Sequence, residues 1–144
     1  MIRRLSWPAA LAVAFVLFLH PAPARAFEVS ASAAYWTENS SAFSVTLGKL
    51  WDLPGFKLGP RVGFAYVTSP NSAGVPADLV ARFGLGTLYI EAQAGAWLLF
   101  TRDPVVRFHA TGGVGISLGP VLIGAEAGYL HNGAILGARV SLSL

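Results

Sequence analysis

The sequence contains no cysteine and few charged residues. The absence of cysteine excludes disulfides, thiol catalysis and cysteine-ligated zinc. Charged residues make up 12% of the chain, whereas an average soluble domain carries about 25%. The hydrophobic content is 54%, but no stretch reaches the roughly 18 consecutive apolar residues of a membrane-spanning helix. The chain is therefore too apolar for an ordinary water-exposed surface and lacks a transmembrane helix.

The first 26 residues resemble a secretory signal. Arg3 and Arg4 precede an uninterrupted apolar stretch at positions 9–19, and Ala24 and Ala26 have the small-residue spacing of a cleavage site. We predict a signal peptide at 1–26 that is removed during export. Cleavage removes three of the ten basic residues and none of the seven acidic ones, so the mature chain is formally neutral. The whole-chain charge of +3 is thus no argument for nucleic-acid binding.

Residues 27–144 alternate apolar and polar side chains, which is typical of β-strands. Short turn signals such as Gly86-Thr87 and Asn132-Gly133 separate the alternating segments. The longest predicted loop is 69–76. Eight strands are predicted, at 27–36, 41–51, 58–68, 78–85, 88–100, around 106–111, 121–129 and 136–144.

The composition of the polar strand face distinguishes two kinds of β-protein. A soluble sandwich or barrel would cover this face with many charged residues, yet the chain has only two lysines, Lys49 and Lys57. Most residues of the polar face are small, and they suit a narrow barrel interior, while the apolar face suits lipid. We predict an all-β fold, an eight-stranded antiparallel up-and-down transmembrane β-barrel, with 27–144 as its single domain.

Charged residues on the polar face can be paired across two predicted hairpins. A turn at Gly86-Thr87 places Arg82 opposite Glu91, and a turn at Asn132-Gly133 places Glu126 opposite Arg139. A directly opposed pair should survive exchange of its two charges. The alternative is that these are exposed pairs on a soluble sheet, each of little energetic consequence. We predict an interior polar network formed by Glu28, Arg61, Arg82, Glu91, Gln93, Arg107, His109, Glu126 and Arg139.

Aromatic residues concentrate near the predicted strand ends. Membrane barrels carry aromatic girdles at both interfaces, although aromatic residues also favour strands for other reasons. Phe27 and Phe56 are further candidates for one girdle. The predicted membrane-interface aromatics are Tyr35, Trp51, Tyr66, Trp97, Phe100 and Tyr129.

The export signal, the eight alternating strands and the apolar C-terminal strand resemble the small outer-membrane β-barrels of Gram-negative bacteria. The resemblance covers the whole mature chain but is one of pattern. It implies a location in the outer membrane, with its lipids and lipopolysaccharide as partners. It also implies recognition of the C-terminal strand by the barrel-assembly machinery. Gly137, Val140 and Leu142 match that strand pattern, and Leu144 stands where members commonly have an aromatic residue.

The sequence contains little that indicates chemistry. No phosphate-binding glycine loop, metal-spaced histidine cluster or nucleophile motif is present. Some barrels of this family modify lipid A, and one deacylase family carries a His-x-Ser motif, but His131 is followed by Asn132 and Gly133. His109 is expected to be a polar interior residue. We therefore expect a non-enzymatic barrel with a structural, interaction or minor small-solute role, without cofactor, metal or nucleic acid. The alternatives are a lipid A-modifying enzyme and a soluble periplasmic lipocalin-like barrel.

Overall fold

The computed structural model describes residues 27–37, 39–69, 71–101 and 105–144. The predicted signal peptide at 1–26 lies outside these residues and stays a prediction. The described regular structure consists of β-strands. No helix in the described part of the chain is long and apolar enough to cross a membrane.

The strands form one closed antiparallel barrel. Apart from β2 and β3, neighbours in sequence pair with each other, β1 pairs with β9, and pairing of β2 with β4 closes the ring. Two segments, β2 and β3, lie on either side of Leu50 and both pair with β4, so they act as one of eight barrel strands. This confirms the predicted fold class. The segments are β1 (Phe27–Trp36), β2 (Ser40–Lys49), β3 (Trp51–Leu53), β4 (Phe56–Val67), β5 (Ser72–Leu85), β6 (Leu88–Phe100), β7 (Val105–Leu118), β8 (Val121–Leu130) and β9 (Gly133–Ser143).

Alternation along each strand separates an apolar outer wall from a mostly polar interior. Large apolar side chains such as Phe64, Phe108 and Leu136 are exposed on the outside, at 56%, 73% and 64%. Charged side chains such as Glu91 are buried inside. Side chains of successive strand residues point to opposite faces, which explains the separation. A lipocalin-like barrel requires the reverse arrangement, so the structure does not favour that alternative.

The two ends of the barrel differ in their connections. The terminal end holds Phe27 and Leu144 together with three two-residue turns, at 54–55, 86–87 and 119–120. The opposite end, called the loop end here, is where β1, β4 and β6 end, and two to four residues separate consecutive strands there. Gly86 and Gly119 have positive φ angles of 73° and 65°, a conformation that glycine adopts without steric cost.

The fourth barrel strand begins earlier than the sequence indicates. The predicted loop at 69–76 is wrong, because β5 starts at Ser72 and includes Pro76. Pairing between β4 and β5 stops after Val62↔Ala77 and resumes at Ala65↔Gly74. Proline has no backbone N–H to donate. The strand therefore continues through Pro76 at the cost of a local gap in one ladder, while Pro76 stays paired with Trp97 on the other side.

The last hairpin turns one residue earlier than predicted, which shifts the cross-strand partners by two residues. The expected turn at Asn132-Gly133 is wrong: Leu130 pairs with Gly133, so the turn is His131-Asn132, and His131 has a φ of 56°. Gly133 lies within β9, where an added Cβ would lie 2.8 Å from Cδ1 of Trp36. This glycine makes room for an indole ring rather than forming the turn. A shift of two residues leaves every side chain on its predicted face.

Candidate functional site

The barrel interior is arranged in three layers between the loop end and the terminal end. An apolar plug lies nearest the loop end, a charged network occupies the middle, and an open cavity lies at the terminal end. The apolar plug consists of Ala34, Trp36, Ala42, Ala65, Val67, Trp97, Leu99, Leu130 and Ile135.

Glu91 is the centre of the charged network. Its carboxylate accepts hydrogen bonds from Arg61 at 3.1 Å and from Arg139 at 2.8 Å, both through Nη1 donors. Arg82 donates to the same group from Nε at 2.7 Å and also from Nη2. Each of these four side chains is less than a tenth exposed. One carboxylate thus joins three guanidinium groups from three different strands.

Two further carboxylates balance the three arginines. Glu28 accepts from Arg61 at 2.8 Å and from Nη2 of Arg82 at 2.9 Å. Glu126 lies 2.6 Å from Nη2 of Arg139. The charged network, defined as these three arginines and three glutamates, therefore carries no net formal charge. Buried ions need such pairing because their desolvation costs several kcal/mol each, by an order-of-magnitude estimate.

Gln93 connects the charged groups through its neutral amide. Its Oε1 accepts from Arg61 at 2.8 Å and from Arg139 at 2.7 Å. Its Nε2 donates to Oγ1 of Thr111 at 2.7 Å. Nε2 also donates to Oε2 of Glu126 at 3.5 Å, so both ends of this amide side chain have partners inside the barrel.

The two predicted charge pairs form in different ways. Arg82 and Glu91 are direct cross-strand partners, which confirms the predicted register of that hairpin. Glu126 and Arg139 are in contact but lie diagonally, because Glu126 pairs with Gly137 and Arg139 with Gly124. The diagonal contact leaves Arg139 free to reach Glu91 as well.

A buried aspartate–histidine pair lies between the charged network and the apolar plug. Nδ1 of His109 is 3.3 Å from Oδ1 of Asp78, and the His109 ring lies 5.2 Å from that of Trp97. Sequence reasoning placed His109 in the interior but missed Asp78, which it took as the first residue of a strand. Asp78 alternates with Val80 and Arg82, and this signal would have placed it inside.

Arg107 lies nearer the loop end than the charged network does. It is half-buried on β7, and its guanidinium carbon is 4.7 Å from the ring centroid of Trp36. A cation over an indole face is a favourable arrangement. The structure therefore places this predicted network residue against the apolar plug.

Most of the predicted interface aromatics point outward at the barrel ends. Tyr35, Tyr66, Phe100 and Tyr129 are exposed on the outer wall towards the loop end. Trp51 is half-exposed at the terminal end, where its ring centroid lies 5.9 Å from Nζ of Lys49. These positions form two outward aromatic groups at opposite ends.

Trp97 is a wrong prediction among those aromatics. Its side chain is 4% exposed and belongs to the apolar plug. It shares the face of Glu91 and Gln93, so alternation directs it inward although it lies close to the strand end. Trp36 also belongs to the apolar plug. Sequence reasoning missed it, although the outward direction of its neighbour Tyr35 implies by alternation that Trp36 points inward.

Among the described residues, no cluster of three or more histidine, cysteine, aspartate or glutamate side chains is placed to hold a metal ion. His131 occupies the last hairpin turn at the loop end, with its backbone N–H bonded to the carbonyl of Phe108 at 2.8 Å.

Comparison with solved structures places the fold among transmembrane barrels. A de novo designed transmembrane β-barrel matches with a TM-score of 0.67 at 14% identity, over 87% of this chain and 100% of the design. The outer membrane enzyme PagL matches with a TM-score of 0.58 at 16% identity, over 81% of this chain and 99% of that chain. The de novo design TMB2.3 matches with a TM-score of 0.60 at 20% identity, over 88% and 98%. No protein-family model and no curated protein matches the sequence. At these identities the likeness concerns the fold.

Proposed function

We infer that this protein is a non-enzymatic outer-membrane β-barrel with a structural or interaction role. The observation that carries the proposal is an apolar outer wall around a charge-balanced and filled interior. The wall suits lipid, and the filled interior stabilises a narrow barrel instead of forming an open channel.

The outer wall supports insertion in a membrane. Exposed large apolar side chains occur on every barrel strand, and Phe108 and Leu136 are the most exposed of them at 73% and 64%. Soluble monomers rarely present apolar patches larger than a few hundred Å². The closed ring also pairs the backbone groups of each strand with two neighbours, as a lipid environment requires.

The connections support one orientation in the outer membrane. Barrels of this kind have short periplasmic turns and longer external loops. The terminal end would then face the periplasm, and the loop end, with outward Tyr35, Tyr66 and Tyr129, would meet lipopolysaccharide. Outer-membrane lipids are the proposed surroundings. The barrel-assembly machinery is the proposed partner of β9, which pairs with β1 to complete the ring.

Export and location can be tested in a Gram-negative host. The expected result is a mature chain that begins at Phe27 and sediments with outer-membrane vesicles on a density gradient. A variant with Ala24→Leu and Ala26→Leu is the matched control, because bulky residues at these positions should block cleavage at the same site. A mature protein found in the soluble periplasmic fraction would contradict the proposal.

Modification of lipid A is the second candidate, favoured by the structural likeness to the outer membrane enzyme PagL. Its test is mass spectrometry of lipid A from cells with and without the expressed protein. The non-enzymatic proposal predicts identical lipid A species. A mass change that disappears in a His131→Ala variant would favour the enzyme, because His131 is the loop-end histidine.

A further inference from the structure

A cavity of about 500 Å³ opens at the terminal end of the barrel. It lies within the range of about 300–1,000 Å³ typical of small-molecule sites. Its walls come from the three two-residue turns and from the interior faces of the adjoining strands. The cavity touches the charged network only at Arg82 and does not reach the apolar plug, and the proposed function does not use it.

Glycine creates much of this space. Gly84 lies on the interior face of β5 opposite Tyr89, and an added Cβ there would meet nothing within 4 Å. Tyr89 is held to one side, because Gly115 leaves room for its phenol: a Cβ at Gly115 would lie 2.6 Å from the Tyr89 hydroxyl oxygen. An ordinary side chain at position 84 would therefore fill the cavity without disturbing the surrounding backbone.

The cavity is closed at its depth. Arg82 forms part of its floor, and the charged network lies directly behind. Two further interior voids beside the network each measure about 10 Å³, enough for about one water molecule. Beyond them, Trp36, Val67, Leu99 and Leu130 of the apolar plug are completely buried. A ligand would therefore enter and leave through the terminal end.

The walls combine apolar surface with paired charges. Leu122 and the ring of Tyr89 supply apolar contacts inside the cavity, because both side chains point inward and are 6% exposed. At the rim, Nζ of Lys57 lies 3.1 Å from Oδ1 of Asp52, and both side chains are about half exposed.

Each charged side chain that lines the cavity has an oppositely charged partner. Arg82 is held by Glu28 and Glu91, and Lys57 by Asp52. A molecule with one net charge would be attracted by one member of the exposed rim pair and repelled by the other. A zwitterion can instead place its anionic group at Lys57 and its cationic group at Asp52, and its apolar part against Leu122 and the Tyr89 ring. The chemistry therefore selects a zwitterionic amphiphile.

We propose that this cavity binds a small zwitterionic amphiphile that enters from the terminal end. If the proposed membrane orientation holds, the ligand comes from the periplasm. Binding itself depends on the folded barrel alone. A test on purified refolded protein therefore separates failure of this proposal from failure of the proposed location.

The test uses L-phenylalanine as the probe, with the barrel in lipid nanodiscs and its leucine methyl groups labelled for NMR. Phenylacetate and phenethylamine carry the same ring with only one charge, and they serve as matched ligands. We expect saturable shifts at Leu122, whose side chain points into the cavity, and none at Leu99 and Leu130 in the apolar plug. The two singly charged compounds should bind several-fold more weakly, because each is attracted by one member of the Asp52–Lys57 pair and repelled by the other.

Two glycine variants localise the binding. Gly84→Leu fills the cavity and should weaken phenylalanine binding about tenfold or more, as overpacking of a site does. Gly112→Leu is the control, because this glycine faces the outer wall and its Cβ would meet only one backbone oxygen, at 4.0 Å. That control should bind as the parent does. Absence of saturable shifts, equal binding of phenylacetate, or unchanged binding by Gly84→Leu would each overturn the proposal.

Discussion

At the scale of single residues, Glu91 is the carboxylate with the most arginine partners in the charged network. Arg61, Arg82 and Arg139 all donate to its carboxylate. Replacement by Glu91→Gln leaves three buried guanidinium groups with one fewer anion. We expect a loss of about 3–5 kcal/mol in the free energy of unfolding, the cost of breaking a buried ion pair. Urea titration of the refolded barrel, followed by tryptophan fluorescence, measures it.

The exposed pair of Asp52 and Lys57 provides the control for Glu91. Asp52→Asn makes the same chemical change on a side chain that is about two-thirds exposed. Exposed ion pairs contribute about 1 kcal/mol or less. If the two variants lost similar stability, the buried network would not be the main source of interior stabilisation.

The diagonal geometry of Glu126 and Arg139 reverses one expectation from the sequence. A directly opposed pair would tolerate exchange of its charges, but Arg139 also donates to Glu91 at 2.8 Å. The double variant Glu126→Arg with Arg139→Glu places a second carboxylate beside Glu91. We expect it to unfold at lower urea concentration than Glu126→Gln, which removes only one charge. An exchange variant as stable as the parent would contradict the described network.

At the scale of strands, alternation predicted which side chains face inward, whereas glycine misled the assignment of turns. Arg82, Glu91 and Arg139 are buried as the period of two indicates. Asn132-Gly133 has the composition of a tight turn, yet Gly133 is used for packing against Trp36. Contact between a glycine and a distant indole leaves no local sequence signal, so the register of β9 required the structure.

The register of the last hairpin can be tested by disulfide trapping, since the chain has no cysteine of its own. Ala125 pairs directly with Ala138, while Ala127 lies two residues away from that partner. The double variant Ala125→Cys with Ala138→Cys should cross-link rapidly under mild oxidation. The control Ala127→Cys with Ala138→Cys should cross-link slowly, because diagonal positions exceed ordinary disulfide geometry. The opposite order of rates would support the turn at Asn132-Gly133.

At the scale of the whole molecule, the division of the interior into three layers depends on contacts across the barrel. Glu28 and Arg61 are 33 residues apart, and Glu28 and Arg82 are 54 apart. Cross-strand pairing within a hairpin could predict Arg82 with Glu91, but not which carboxylates share one arginine. Those contacts depend on strand stagger and barrel closure, which alternation does not specify. The terminal-end cavity likewise could not be predicted from the sequence, because it forms where interior glycines of different strands lie at the same level of the barrel.

The central claim is a closed barrel whose outer wall requires lipid or detergent, and gel mobility tests it most directly. The mature chain, refolded in detergent, should migrate on an SDS gel as a compact species before boiling and shift to its unfolded position afterwards. It should also precipitate when detergent is removed, because the exposed wall is apolar. A protein that stays soluble and monomeric in plain buffer, with the same mobility before and after boiling, would contradict the account.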